Sequence, residues 1–466
     1  MAKLHAVAPA PEGAMSINPA TGETLERYAY HSPAEVEKIL ATSQTGFAAW
    51  RAMPIEKRVA FLRSMAIVLR RHAPRYAELM THEMGKLIAE SKAEIEKCAH
   101  LCEWYAEHGP AMLADEKVAM EQARAYVSFL PIGTILGVMP WNFPFWQAMR
   151  ACVPILLGGN GFVLKHAHNV LGSAYALETA WREAGLPEGV FSVLAIPSDQ
   201  TGDIIADARI AAVTLTGSGR AGASVAALAG KHLKKTVLEL GGADPFIVLA
   251  DADLDAAVEA GIKARFNNAG QVCIAAKRFI LEAYIAQEFT EKFVAKARAL
   301  VTGNPFVPTT TLAPLAREDL RETLHQQVQR TIAQGAKLLC GGKHVEGAGY
   351  FYEATVLGGV KPGMVAFEEE MFGPVAAMTM AKDAEEAIAL ANRSQYGLSG
   401  NLWTGNAERA RDIARRLETG AVFVNGFSAS DPRTPIGGVK QSGYGRELSH
   451  FGIREFVNAQ TVVMRT

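Results

Sequence analysis

The amino-acid sequence predicts an α/β protein of at least two lobes, and three observations carry that prediction. Residues 32 to about 108 read as helix upon helix, short β-rich runs alternate with helical stretches from Tyr126, and the alternation restarts beyond Gly241. A chain of 466 residues, 49% of them hydrophobic and 20% charged, is globular in composition and too long for one compact core.

Ser32-Pro33-Ala34-Glu35 opens the helical part with an N-cap, a proline at the first helical position and a capping-box Glu. The β-rich runs YVSFL, TILGVMP, GFVLKHA, FSVLAI and AAVTLTG follow, spaced as in a parallel sheet with crossover helices. The second lobe is expected to hold a strand at DPFIVLA, a helix near 254–266, a strand at KRFILEA, a helix near 286–300, and strands near 375–380 and 421–425. Two extended, β-branched segments, near 118–131 and in the tail EFVNAQTVVMRT, fit neither lobe. Such strands need a partner edge, so an interdomain or intersubunit sheet, and with it a homo-oligomer, is expected.

Lys plus Arg number 47 against 48 for Asp plus Glu, a balance that argues against nucleic acid or an anionic membrane as the main partner and leaves a small molecule. Five unevenly spaced cysteines suit a reducing compartment, and a cytoplasmic location is expected. Cys98 and Cys102 share a helix face, which plain core packing explains. The first 16 residues lack an apolar stretch long enough for a signal peptide and read as a loose leader. The most apolar later run is broken by Pro154 and three glycines, short of a bilayer span.

Four stretches carry chemistry. In FNNAGQVC, Cys273 follows a polar, Gly-containing turn that leaves a thiol accessible and could lower its pKa; a buried core cysteine is the plain alternative. In VLELGG, Glu239 interrupts an apolar strand, where burial raises a carboxyl towards the range of a general base; a salt bridge at a domain seam is the alternative. PWNFPFW offers the Asn142 amide as an oxyanion donor, or a mere turn Asn. LTGSGRAG contains Gly217-x-Gly219-x-x-Gly222 between a strand and a helix, the context of a dinucleotide fingerprint. Glu239 lies 22 residues beyond Gly217, so it has a rival role as a ribose-binding acid.

PWNFP, VLKHA, LTGS, ELGG, GQVC, EEMFGP and PIGGVKQSGYGRE occur in this order. By these motifs the sequence resembles the aldehyde dehydrogenase superfamily along nearly its whole length, from INPATGE to the tail. CEWYAEHGPAML, GRELSHFG and the total length make it most similar to the bacterial succinate-semialdehyde dehydrogenase group. The resemblance implies Cys273 as nucleophile, Glu239 as general base, and Asn142 with the Cys273 backbone N–H as the oxyanion hole. It implies Lys165 on the adenosine ribose, Ser218 after Gly217 at the pyrophosphate, Glu370 on the nicotinamide ribose, and Trp141 and Leu240 lining the cleft. No metal is called for.

The implied fold is a Rossmann-like cofactor domain (1–117 and 135–240), an α/β catalytic domain (241–433) and a small β oligomerisation element (118–134 and 434–466) joining a homodimer or homotetramer. NAD is the expected cofactor, with NADP tolerated. Three residues after Lys165, where NAD-preferring relatives often carry a Glu, stands His168. The expected substrate is succinate semialdehyde, its distal carboxylate anchored by Arg150, which follows Asn142 by eight residues, just over two helical turns. A second Arg that such enzymes carry six residues before the nucleophile is here Asn267; Arg433 is a substitute, and Ser430 adds a hydrogen bond. Against the anchor stands a structural ion pair for Arg150. Rival classes are a broad-specificity enzyme, an acyl-transferring or reducing enzyme on this fold, and a non-catalytic protein that keeps it.

Overall fold

The computed structural model describes residues 12–121 and 123–465. Gly13–Ile17 pairs antiparallel with Thr24–Ala29, and Ser16 is buried with its hydroxyl 3.3 Å from Glu83 Oε1. The loose leader expected through residue 16 is therefore ordered from Gly13, because hairpin pairing and this buried contact hold it; residues 1–11 lie outside the described part.

The helices Pro33–Arg51, Ile55–Arg71, Ala73–Met84 and Ile88–Met112 follow. The capping box opens the first of them: Glu35 N donates to Ser32 Oγ at 3.3 Å, and Ser32 N to Glu35 Oε2 at 2.8 Å. Apolar faces of these helices, with Trp50, Leu62, Cys98, Cys102 and Tyr105, form one core with the inner face of the first large sheet. Both cysteines are buried there, as packing predicts.

That sheet has six strands in the order Gly443–Tyr444, Lys235–Glu239, Ile210–Thr216, Thr134–Met139, Gly161–His166, Phe191–Val193; all run parallel except the first. Helices Trp146–Leu157, Leu171–Glu183, Thr201–Ala206 and Gly219–Lys231 make the crossovers. The second sheet has seven strands, in the order Lys337–Cys340, Thr355–Gly358, Val375–Ala381, Ala276–Glu282, Asp244–Val248, Ser399–Trp403, Ala421–Val424, and only its first pairing is antiparallel. Buried on both faces, its central strands read as continuous apolar runs.

The two segments without a place in either lobe find each other. Val457–Arg465 pairs antiparallel with Ala123–Pro131 along nine residues, and Glu116–Val118 adds a third strand. Earlier tail residues lie elsewhere: Val439–Lys440 pairs with Tyr396–Gly397, and Gly443–Tyr444 extends the first sheet. Among the described residues no helix is long and apolar enough to cross a membrane.

Candidate active site

The strand Lys235–Glu239 of one sheet is followed directly along the chain by Asp244–Val248 of the other, so residues 240–243 tie the carboxyl edge of the first to the amino edge of the second. Along the first edge lie Trp141 and Asn142 past Thr134–Met139, Lys165 and His168 at the end of Gly161–His166, Gly217 and Ser218 past Ile210–Thr216, and Leu240. Chain order reverses about the central strand Thr134–Met139, and open parallel sheets take ligands in the crevice this leaves.

Several features of this edge suit a dinucleotide. Ser218 caps the helix Gly219–Lys231, its hydroxyl accepting from Ala221 N at 3.3 Å, and a helix start beside a strand end favours phosphate. Gly222 lets that helix approach closely: a Cβ there would fall 2.5 Å from Leu240 Cδ2. Lys165 is 8% exposed, donates to Ser198 Oγ at 3.3 Å and has no salt bridge among the described residues; burial lowers its ammonium pKa. His168 is exposed, and its pKa is lowered by burial of its ring and then by the charges of Arg317 and Lys165. Trp141 meets Phe372 edge-on at 5.8 Å. Across the cleft, Glu370 Oε1 accepts from Gly242 N at 3.0 Å and lies 3.3 Å from Lys277 Nζ.

Cys273 stands just before the strand Ala276–Glu282, at the amino edge of the second sheet. The helix Leu254–Phe266 ends, and Asn268, Ala269 and Gly270 then take left-handed conformations, with φ of 52°, 52° and 74°. Gly270 is required twice: its φ is positive, and a Cβ would fall 2.3 Å from Gly373 O, which joins the GQVC and EEMFGP motifs. Arg265 Nη2 donates to Gly270 O at 2.6 Å, and Lys277 Nζ to the carbonyls of Val272 (3.0 Å) and Cys273 (2.6 Å). Asn142 is locked to the same turn. Its Nδ2 donates to Gln271 O at 2.9 Å, and its own carbonyl accepts from Asn268 Nδ2 at 2.9 Å. That single amide bond fixes the amide plane and leaves the second N–H available to an oxyanion.

The thiol does not have the lowered pKa expected of such a turn. Burial pushes Cys273 up to about 11; Arg150 and Lys277 oppose this, while Glu239 and Glu370 add to it. A neighbouring base is therefore needed to form thiolate. Glu239 is 2% exposed, its Oε1 has no hydrogen-bond partner, and burial raises its carboxyl to about 8, Arg150 pulling it down and Glu447 pushing it up. A buried carboxyl with one oxygen free of hydrogen bonds and its pKa raised towards neutrality suits proton transfer better than ribose binding.

Arg150 is also 2% exposed. Its Nε contacts Glu447 Oε2, its Nη2 lies 4.0 Å from Glu239 Oε2, and Nη2 donates to Thr216 Oγ1 at 3.4 Å. A guanidinium facing two carboxylates has the setting of a seam ion pair, the alternative to the anchor role that its spacing suggests. Arg433 is solvent-facing: its side chain is 75% exposed and bound to Asp431 through two bonds, of 2.8 and 2.7 Å. Asn267 is exposed at the end of its helix. Ser430 faces inward, its hydroxyl accepting from Lys97 Nζ at 2.7 Å.

Sequence reasoning missed Glu447, Lys277, Gln271, Asn268 and Lys97. Glu447 is a buried charge inside the motif PIGGVKQSGYGRE and Lys277 one just after GQVC, and that placement was the available signal. Lys97 gave none, since a lysine in a charged helix reads as a solvated face.

With the geometry in place, the comparisons are informative. The model of the aldehyde dehydrogenase family matches residues 7–462. A succinate semialdehyde dehydrogenase [NAD(P)+], Sad, of Escherichia coli (strain K12) is 54% identical over 449 residues, covering 96% of this chain and 97% of that protein. A succinate-semialdehyde dehydrogenase [NADP(+)] of Mycobacterium avium (strain 104) is 46% identical over 451 residues, covering 96% of each. Among solved structures, succinic semialdehyde dehydrogenase from Streptococcus pyogenes in complex with NADP+ superposes with a TM-score of 0.95 at 38% identity, covering 97% of this chain and 100% of that one. The two-sheet architecture and a match spanning almost the entire sequence lead to one conclusion: the chain belongs to the aldehyde dehydrogenase family.

Proposed function

We propose that the protein oxidises succinate semialdehyde to succinate with NAD or NADP, through a thioester on Cys273. The observation that carries the reading is that Cys273, Glu239 and Asn142 gather at one seam, where a raised carboxyl with one oxygen free of hydrogen bonds acts electrostatically on a thiol that needs a base. The names of the relatives supply the substrate class.

Glu239 takes the thiol proton, and the thiolate adds to the aldehyde carbon. The Asn142 amide and the Cys273 backbone N–H stabilise the oxyanion. Bound nicotinamide serves as the hydride acceptor in the oxidation that leaves the acyl group on sulfur. Lys165, Ser218, Gly217, Leu240, Trp141 and Glu370 would hold the dinucleotide, Glu370 being fixed by Gly242 and Lys277. Glu239 gives that proton up to solvent and then draws one from water, which attacks the thioester; the acid is released and Cys273 leaves as thiolate.

In this reading residues 1–117 and 135–240 bind the cofactor and 241–433 carry the nucleophile. The segment 118–134 joins cytoplasmic subunits into a homodimer or homotetramer with the strand Val457–Arg465, whose mostly exposed face supports that role. The test is turnover on succinate semialdehyde and on butanal, the same length without a carboxylate, with each cofactor and no added thiol or phosphate. Preference for the semialdehyde, and its complete loss in Cys273→Ala with cofactor binding kept, is expected. Equal use of both aldehydes would remove the substrate assignment, and turnover by Cys273→Ala the thioester.

A further inference from the structure

We infer that Lys97 is the specificity-determining cation of this site, binding the distal carboxylate of the substrate together with Ser430. The inference rests on the reading of a carboxylate-bearing aldehyde.

The placement of Lys97 follows from how its helix meets the next one. Within Ile88–Met112, Glu94 accepts from the backbone N–H groups of Phe145 and Trp146, both at 2.9 Å, and so starts the helix Trp146–Leu157. One turn on, Lys97 lays its ammonium over the Trp146 ring, 4.1 Å from the centroid. Trp146 and Arg150 are four residues apart on that helix, hence on one face. Lys97 therefore stands beside the ion-paired Arg150 rather than at the protein surface.

Its bonding differs from that of three other cations near the seam. Arg150 has Glu447, Lys277 has Glu370, and Arg433 has Asp431. Lys97 forms no salt bridge among the described residues and donates only to the neutral Ser430 Oγ, at 2.7 Å. Burial and then Arg150 lower its pKa to about 8, against Cys98, Glu94 and Asp431, which raise it. An ammonium partly removed from water, with a hydroxyl beside it, is a receptor for an anion. A free carboxylate is the anion that the substrate brings, and Lys97 supplies the charge that Asn267 does not.

The experiment compares wild type, Lys97→Met and Lys97→Arg on succinate semialdehyde and on butanal, with cofactor titration of each protein. Lys97→Met is expected to raise KM for the semialdehyde and lower kcat/KM by about 10- to 150-fold, with kcat little changed. Butanal kcat/KM should stay within about twofold, showing a folded, competent enzyme, and Lys97→Arg should keep most of the semialdehyde preference. Equal losses on both aldehydes, or no loss on either, would overturn the role of Lys97 while leaving the substrate assignment in place. A wild-type enzyme without preference for the semialdehyde would overturn the assignment beneath it.

Discussion

Arg150 Nη2 stands 4.0 Å from Glu239 Oε2 while its Nε contacts Glu447, so one buried guanidinium tunes the general base and joins the tail to the first sheet. A cation at that range holds down a carboxyl that burial raises. Arg150→Met should shift the rising limb of the kcat–pH profile to higher pH by about one to three units. It should lower kcat/KM on succinate semialdehyde and butanal by similar factors. A loss confined to the semialdehyde would return the anchor role to Arg150.

The ratio of kcat/KM for succinate semialdehyde to that for butanal isolates Lys97, because effects of Glu239 and Cys273 are common to both substrates. Lys97 binds the carboxylate only when protonated, and its pKa is lowered to about 8 by burial and Arg150 against Cys98, Glu94 and Asp431. The ratio should be constant well below pH 8 and fall as pH rises through about 8. Lys97→Arg should flatten it, since guanidinium stays charged. A ratio independent of pH in the wild type would contradict this.

His168 sits where Lys165 and Arg317 make the surroundings positive, which suits a 2′-phosphate. His168→Glu should reduce kcat/KM with NADP by about 10-fold or more while changing NAD use by less than about threefold. Parallel changes with both cofactors would place His168 away from the ribose.

Gly270→Ala should lower the denaturant midpoint by more than about 1 kcal/mol in stability, because φ is 74° and the added Cβ meets Gly373 O at 2.3 Å. Turnover should fall more than global stability does, as the turn that holds Cys273 and Asn142 is what gives way. An unchanged kcat would show that the turn tolerates strain without moving the thiol.

The sheets were legible because their strands are buried on both faces, leaving unbroken apolar runs such as TILGVM and DPFIV between helical stretches. The capping box at Ser32 was legible for the same local reason. The strand Gly13–Ile17 was not, since its partner and the burial of Ser16 under Glu83 are tertiary facts. Cys273, Glu239 and Asn142 stood out as motifs, whereas the fate of each charge was hidden. Glu447 lies 297 positions from Arg150 and engages it only once the tail folds back, and Ser430 lies 333 positions from Lys97. Spacing along one helix suggests Arg150 as an anchor; the ion pair that is its alternative comes from long-range pairing.

The thioester account is tested most directly by the pre-steady-state kinetics of Glu239→Gln on succinate semialdehyde, with sufficient pH to form the Cys273 thiolate without its base. Hydride transfer precedes the water step, so the account predicts a burst of reduced cofactor approaching one equivalent per site, then turnover slowed by about 100-fold or more. The wild-type kcat limb near pH 8, set by deprotonation of Glu239 and rising with pH, should vanish in the variant. A variant that shows no burst, and instead turns over normally at raised cofactor concentration, would make Glu239 a ribose ligand and contradict the mechanism.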